Sequence, residues 1–189
     1  MTNYLVLDIE TNGIGTFRPP SQTPIQVSFQ HLDCDGNLLN SYSEFIKGVK
    51  KIQWGGSIGE CPWDVDFVNK EGVSIASCIQ AIKNCIDNNT VIIGHNIEFD
   101  ISTLLHKRHS KTIALARSFC TMKSTVEFCK IKKTGYGSKY GGYKWPKLAE
   151  LSGVLNINVD HELFHDSKYD VEITKKCFFK LKELNVINL

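Results

Sequence analysis

Apolar positions along the chain change period several times, and each change marks an element. Tyr4-Leu5-Val6-Leu7 is a continuous apolar run that ends in Asp8 and Glu10, the pattern of a buried strand over residues 4–10. Ile25 to Leu32 alternates instead, with Ile25, Val27 and Phe29 on one side and polar residues between them, which predicts a second strand. Asp33-Cys34-Asp35-Gly36-Asn37 reads as a turn, and Leu38 to Ile46 returns as a third strand, so the first three strands form an antiparallel meander. Residues 47–72 lose all periodicity and carry Gly48, Gly55, Gly56, Gly59, Pro62 and Gly72. They read as a long irregular excursion anchored by Trp54 and Trp63, and a loop of that length inside a compact domain usually has a function.

The period then becomes helical. Ile75, Ile79, Ile82 and Ile86 place a helix over 74–87. Val91-Ile92-Ile93 is a short strand, Ile97 to Lys107 a helix with Ile101, Leu104 and Leu105 inward, and Ser118 to Met122 a short edge strand. Ser124 to Cys129 and Pro146 to Ser152 read as helices, with Pro146 suited to a first turn. A last helix over about 166–184 turns Ile173, Cys177, Leu181 and Leu184 to one face, and Asp170 lies along that same face. A meander followed by alternating helices and strands predicts an α/β fold, a mixed five-stranded sheet with helices on its faces.

The 189 residues suit a single domain spanning 1–189. Hydrophobic and charged fractions of 42% and 22% are ordinary for a globular protein, and no apolar run approaches the ~20 residues that span a bilayer. Met1-Thr2-Asn3 leads straight into the first strand without a signal-peptide pattern. Seven cysteines, an odd number with no Cys-x-x-Cys pair, read as reduced thiols and predict a cytoplasmic, reducing location. The net charge of +2 is unevenly spread: residues 123–147 hold seven lysines and one acid, Glu127, a local +6 that leaves −4 for the rest. That asymmetry predicts an acidic partner at one surface.

Four acids interrupt apolar elements. Asp8 and Glu10 are two apart on a strand, on one face and about 6.6 Å apart along it. Asp100 follows Val91-Ile92-Ile93 in Gly94-His95-Asn96-Ile97-Glu98-Phe99-Asp100, and Asp170 follows His165 by five residues. Singly, each could be a strand-end or helix-first-turn carboxylate satisfied by water or by the helix dipole. Jointly they read as a divalent-metal hydrolytic site, because core carboxylates are costly unless paired or metal-bound. An imidazole with an unperturbed pKa near 6.5 suits a base that takes a proton from water at neutral pH.

These three stretches resemble the motifs of the DnaQ-like 3′–5′ exonucleases of the DEDDh type. Asp8-Ile9-Glu10-Thr11 is similar to the first motif, His95-Asn96-Ile97-Glu98-Phe99-Asp100 to the second, and the His165/Asp170 pair to the third. A sister branch has tyrosine one residue after the histidine, where this chain has Asp166. Lys144 to Leu151 also looks like family sequence, and the likeness runs from residue 4 to about 181.

The resemblance implies an RNase H-like fold and two divalent cations, Mg²⁺ or Mn²⁺, held by Asp8, Glu10, Asp100 and Asp170. His165 would be the general base and a nucleoside 5′-monophosphate the product. It further implies that Thr11 meets the terminal 3′ end, that Ile14 wedges against the last base and that Asn96 is a polar position on the substrate side. Asn12-Gly13 replaces the usual Thr-Gly after the acidic pair, which bears on the terminal-nucleotide contacts.

The segment Lys130–Trp145 interleaves lysines, aromatics and glycines. Lys132, Lys133 and Lys139 suit phosphates, and Tyr140 suits an unpaired base. The expected partner is a nucleic-acid 3′ end, with single-stranded DNA as the first reading and RNA as the alternative. A polymerase is a candidate protein partner. A nucleic-acid-binding or polymerase-associated module with little activity is the competing class. Nothing in the pattern of residues fixes the oligomeric state.

Overall fold

A computed structural model describes residues 1–13, 22–55, 59–135, 139 and 141–189. Ile14 and Tyr140 lie outside the described residues. Five strands form one sheet: β1 (Asn3–Thr11), β2 (Pro24–Leu32), β3 (Leu38–Phe45), β4 (Thr90–Gly94) and β5 (Arg117–Cys120), in the order β3-β2-β1-β4-β5. β1, β2 and β3 are antiparallel neighbours, while β4 runs parallel to β1 and β5 parallel to β4. The helices among the described residues are α1 (Val65–Glu71), α2 (Ile75–Asn84), α3 (Ile97–Lys107), α4 (Lys111–Leu115), α5 (Thr121–Ser124), α6 (Val126–Cys129), α7 (Leu148–Val154) and α8 (Ser167–Glu183). This is the expected mixed sheet flanked by helices.

The pleat of β1 decides where the chemistry goes. Leu5, Leu7 and Ile9 enter one apolar layer with Cys78, Ile79 and Ile82 of α2 and Ile97 and Leu104 of α3. Tyr4 and Val6 enter the opposite layer with Leu151 of α7 and Val171, Ile173, Cys177, Phe178 and Leu181 of α8. Each fully buried side chain of that kind contributes about 1.5–3 kcal/mol. Asp8 and Glu10 continue the parity of Tyr4 and Val6, so they leave the sheet on the α8 side.

The polar positions of β2 are not solvated. Gln26, Ser28 and Gln30 meet the start of α8: the Gln26 Nε2 donates to Asp166 Oδ1 at 3.2 Å, and its Oε1 accepts from the Ser167 N–H at 3.0 Å. Ser28 and Ser167 share a hydrogen bond of 2.7 Å, and Gln30 Nε2 donates to Glu172 at 3.1 Å. This polar seam fixes the first two turns of α8, and with them Asp170, against β2 and β1.

Several local expectations change. The excursion 47–72 is not irregular throughout: Val65–Glu71 is helical, started by Asp64, whose side chain accepts from the Phe67 N–H. Lys111–Leu115 is a further short helix, capped by Ser110. The helix expected over 124–129 is two four-residue turns that meet at Thr125. Pro146 precedes its helix instead of entering its first turn; Lys147 is the N-cap, with Glu150 reaching back to the cap N–H. All seven cysteines are free, with Cys78, Cys85 and Cys177 buried. Among the described residues no helix is long and apolar enough to cross a membrane.

Candidate active site

Three elements deliver the acidic residues to one place. β1 carries Asp8 and Glu10 at its C-terminal end. β4 ends at Gly94, where a Cβ would come within 2.8 Å of Ile97 Cδ1 and 3.0 Å of the Leu7 carbonyl. Only glycine allows that approach, and it brings the start of α3 down onto β1. Asn96, with φ +83°, turns the chain into α3. Asp100 then lies under the strand and its Oδ1 accepts from the Ile9 N–H at 3.1 Å. On the other side Asp170, in the first turn of α8, accepts from the His165 N–H at 3.3 Å. His165 has φ +70°, a left-handed conformation that non-glycine residues seldom adopt and that clusters at functional sites.

Asp8, Glu10, Asp100, His165 and Asp170 all line one cleft of ≈ 670 Å³, together with Asn96, Phe99, Lys147 and Phe164 among others. One ligand atom each from Glu10, His165 and Asp170 lies within 4.8 Å of the others. Glu10, Asp100 and Asp170 are 8%, 3% and 8% exposed, far below what acids tolerate without compensation.

The electrostatics follow from this crowding. Burial, then the charges of Asp170, Asp100 and Asp166, push Glu10 up to about 9. Burial and Asp170 raise Asp100 to about 8 against the lowering bond from Ile9, and burial and Asp166 raise Asp170 to about 7 despite the bond from His165. Asp8 is driven well above the carboxylate range by burial and by Asp100, Asp170, Glu10 and Asp166. Asp8 Oδ2 and Asp170 Oδ1 are buried with no hydrogen-bond partner. Clustered, desolvated, partly orphaned carboxylate oxygens are hard anionic ligands, and this donor set fits a hard divalent cation.

The neighbouring groups tune the site. Burial and then Lys147 lower the pKa of His165, so its ring is neutral at neutral pH. The Trp54 ring stands edge-on to His165 at 6.1 Å, and its Nε1 donates to the Thr11 carbonyl at 2.7 Å. His95 is held between Thr121 Oγ1 at 3.0 Å and the Pro146 carbonyl at 2.9 Å, and burial lowers its pKa to about 4. It ties the end of β4 to the segment entering α7.

Of the other sequence-derived positions, Asn96 lines the cleft. The Thr11 side chain is 2% exposed and its hydroxyl accepts from Gln22 Nε2 at 3.3 Å. Phe99, read from sequence as core, is partly buried and contributes to both the apolar layer and the cleft. Lys132, Lys133 and Lys139 lie in the basic segment and do not line the cleft; Lys132 pairs across a single bridge with Tyr143. The sequence marks Trp54 only as an anchor of its loop and gives Lys147 no individual role. Their signal was weak: one lysine among seven, and one tryptophan in a stretch without periodicity.

No protein-family model matches the chain, and no curated protein matches it. Solved structures do. An exonuclease I from Methylocaldum szegediense is 17% identical with a TM-score of 0.63 over 97% of this chain. E. coli exonuclease I in complex with a dT13 oligonucleotide is 15% identical with a TM-score of 0.65 over 97%. S. pombe Pop2p in its Mg²⁺- and Mn²⁺-bound form is 12% identical with a TM-score of 0.65, over 95% of this chain and 82% of Pop2p. The chain spans 41% of the length of the two exonuclease I chains. The shared architecture is the RNase H-like fold.

Proposed function

We propose that the chain is a divalent-metal-dependent 3′–5′ exonuclease of the DEDDh type, acting on single-stranded DNA, with RNA 3′ ends as the alternative substrate. The observation that carries this reading is the group of four carboxylates, Asp8, Glu10, Asp100 and Asp170, raised in pKa by burial and mutual repulsion. They would hold two cations, Mg²⁺ or Mn²⁺. Bound cations supply an activated water and compensate charge on the departing 3′-oxygen. His165, neutral and partly buried, accepts the proton of the attacking water. The Trp54 ring beside it, and the bond from the His165 backbone N–H to Asp170, hold it in place. Asn96, which lines the same cleft, would meet the terminal nucleotide. The product is a nucleoside 5′-monophosphate. The fold shared with an exonuclease I crystallised with an oligonucleotide, and with a Pop2p that binds Mg²⁺ and Mn²⁺, supports the same reading.

The test is a gel of 5′-labelled DNA and RNA oligomers incubated with Mg²⁺, with wild type and Asp8→Asn side by side. A ladder shortening from the 3′ end, made by wild type alone and stopped by EDTA, is expected, and the better-cut polymer identifies the substrate. Absence of any ladder from wild type on either polymer refutes the assignment, and equal cutting by Asp8→Asn marks a contaminant.

The lysines at 132, 133 and 139 serve the phosphate backbone outside the cleft. Replacing all three with alanine is expected to weaken nucleic-acid binding and to flatten its salt dependence, with a slope loss of up to about 0.7 per lost contact for a single strand. An unchanged slope in a salt titration would remove the segment from the binding surface.

A further inference from the structure

The four residues Lys144-Trp145-Pro146-Lys147 enter α7 as a firmly held strap. The Lys144 N–H donates to the Ile131 carbonyl at 2.8 Å, and its Nζ meets both Glu150 oxygens at 2.6 Å. The Pro146 carbonyl faces His95 Nε2 at 2.9 Å, and the Lys147 N–H donates to Glu150 Oε2 at 2.7 Å. Between these anchors the Trp145 side chain is 61% exposed. The strap is fixed on either side of the indole, yet the ring itself buries little area, so folding alone gives no reason for a tryptophan here.

One cation stands over the ring and a second follows it in the chain, and both are connected to the cleft. Lys123 Nζ lies 5.8 Å from the ring centroid and forms an ion pair with Glu98. Glu98 is in the first turn of α3, the helix that presents Phe99 and Asp100 to the cleft. Lys147, two residues after Trp145, lines the cleft itself. An exposed aromatic face on an anchored strap, with one lysine over the ring and another two residues on at the cleft, suits a base on the ring and phosphates on the lysines. Paired bases in a duplex are already stacked and cannot present a face to it.

We infer that Trp145, with Lys123 over its ring and Lys147 two residues on at the cleft, is a stacking subsite for an unpaired nucleobase upstream of the 3′-terminal nucleotide. The subsite rests on the nuclease reading for its ligand and extends it: it makes the chain select single strands. It adjoins the acidic site through Lys147, and none of its three residues is one of the four carboxylates.

Binding, not cleavage, tests it. Anisotropy of fluorescein-labelled dT12, U12 and a blunt 12-base-pair duplex is measured with wild type, Trp145→Ala and Trp145→Phe, without metal. Trp145→Ala is expected to lose on the order of tenfold in affinity for the single strands and to bind the duplex as wild type does. Trp145→Phe keeps a ring and is expected to stay within about threefold of wild type. A scan of single abasic positions through dT12 adds a readout that altered folding would not move. One abasic position near the 3′ end is expected to weaken wild type and leave Trp145→Ala unaffected. The subsite is overturned if Trp145→Ala binds dT12 undiminished, if it loses duplex and single strand equally, or if abasic losses are the same in both proteins. Should wild type cut oligomers while any of these holds, only the subsite fails; should wild type neither bind nor cut, the nuclease reading fails with it.

Discussion

Between pH 6.5 and 9 the metal-free protein is expected to lose thermal stability steadily, and Mg²⁺ or Mn²⁺ is expected to restore it. The sign follows from the carboxylates. Asp170, Asp100 and Glu10 are raised to about 7, 8 and 9, above their values in an unfolded chain. The folded state therefore binds more protons than the unfolded one across this range, and stability falls as pH rises through each folded pKa. Below pH 6.5 the histidines work in the opposite direction. His95 and His165 are lowered, so their protonation favours unfolding as pH falls; above 6.5 the acids dominate, and the buried thiols Cys78 and Cys177, raised by burial, add to the fall only toward pH 9. A cation that binds only the folded carboxylates adds about 2.7 kcal/mol at a hundred times its Kd, or roughly 5–10 °C in Tm for a chain of this size. That gain should be larger at pH 8.5 than at pH 5.5, where protons compete for the same oxygens. Asp8→Asn removes one charge from the group, so its metal-free Tm should exceed that of wild type at pH 8 and its metal response should shrink. Thermal melts over pH 5.5–9, with and without cation, check all three. A metal-free Tm that is flat over this range in both proteins would mean that the four acids do not crowd one another.

The sequence made the sheet and the acidic positions legible because both depend on simple periods. β1 is a buried run whose period of two predicts that Asp8 and Glu10 share a face, and the strand puts both on the α8 side with Tyr4 and Val6. Asp170 was readable in the same way from its spacing to Ile173 on α8, and both residues are buried. Polar contacts between distant elements could not be read. The alternation of β2 predicts the strand but not what its polar side meets: Gln26, Ser28 and Gln30 bond to α8 and its cap through partners about 140 positions away. The same limit hid His95, whose two ring nitrogens join β4 to residues 121 and 146. It also hid Trp54, which reaches Thr11 and His165 from a segment with no period at all. Short helices such as Lys111–Leu115 escaped because five residues hold barely more than one helical turn. The left-handed backbone at His165 has no sequence signal beyond the modest tolerance of histidine for that region.

That backbone shapes the second large expectation, the response to losing the His165 ring. If the imidazole is the general base, removing it should lower turnover by about 10²–10⁴ while sparing the metal-dependent rise in Tm. Its ring is close enough to Glu10 and Asp170 to serve as a ligand instead, since the three ligand atoms fall within 4.8 Å; in that case the rise in Tm would be lost along with turnover. Two variants separate the roles from backbone strain. Alanine at φ +70° costs about 1–2 kcal/mol in its own right, whereas asparagine tolerates the left-handed region; both keep the backbone N–H that Asp170 accepts. His165→Asn and His165→Ala should therefore lose turnover alike, with His165→Ala alone melting lower. The wild-type rate should also fall on an acidic limb where the imidazole takes up a proton, displaced below pH 6.5 by burial and Lys147, and both variants should lack it. Single-turnover rates on the preferred oligomer across pH 5–8, paired with melts at saturating Mg²⁺, provide the measurement. Retention of the acidic limb in His165→Asn would assign that proton to another group and end the case for His165 as the base.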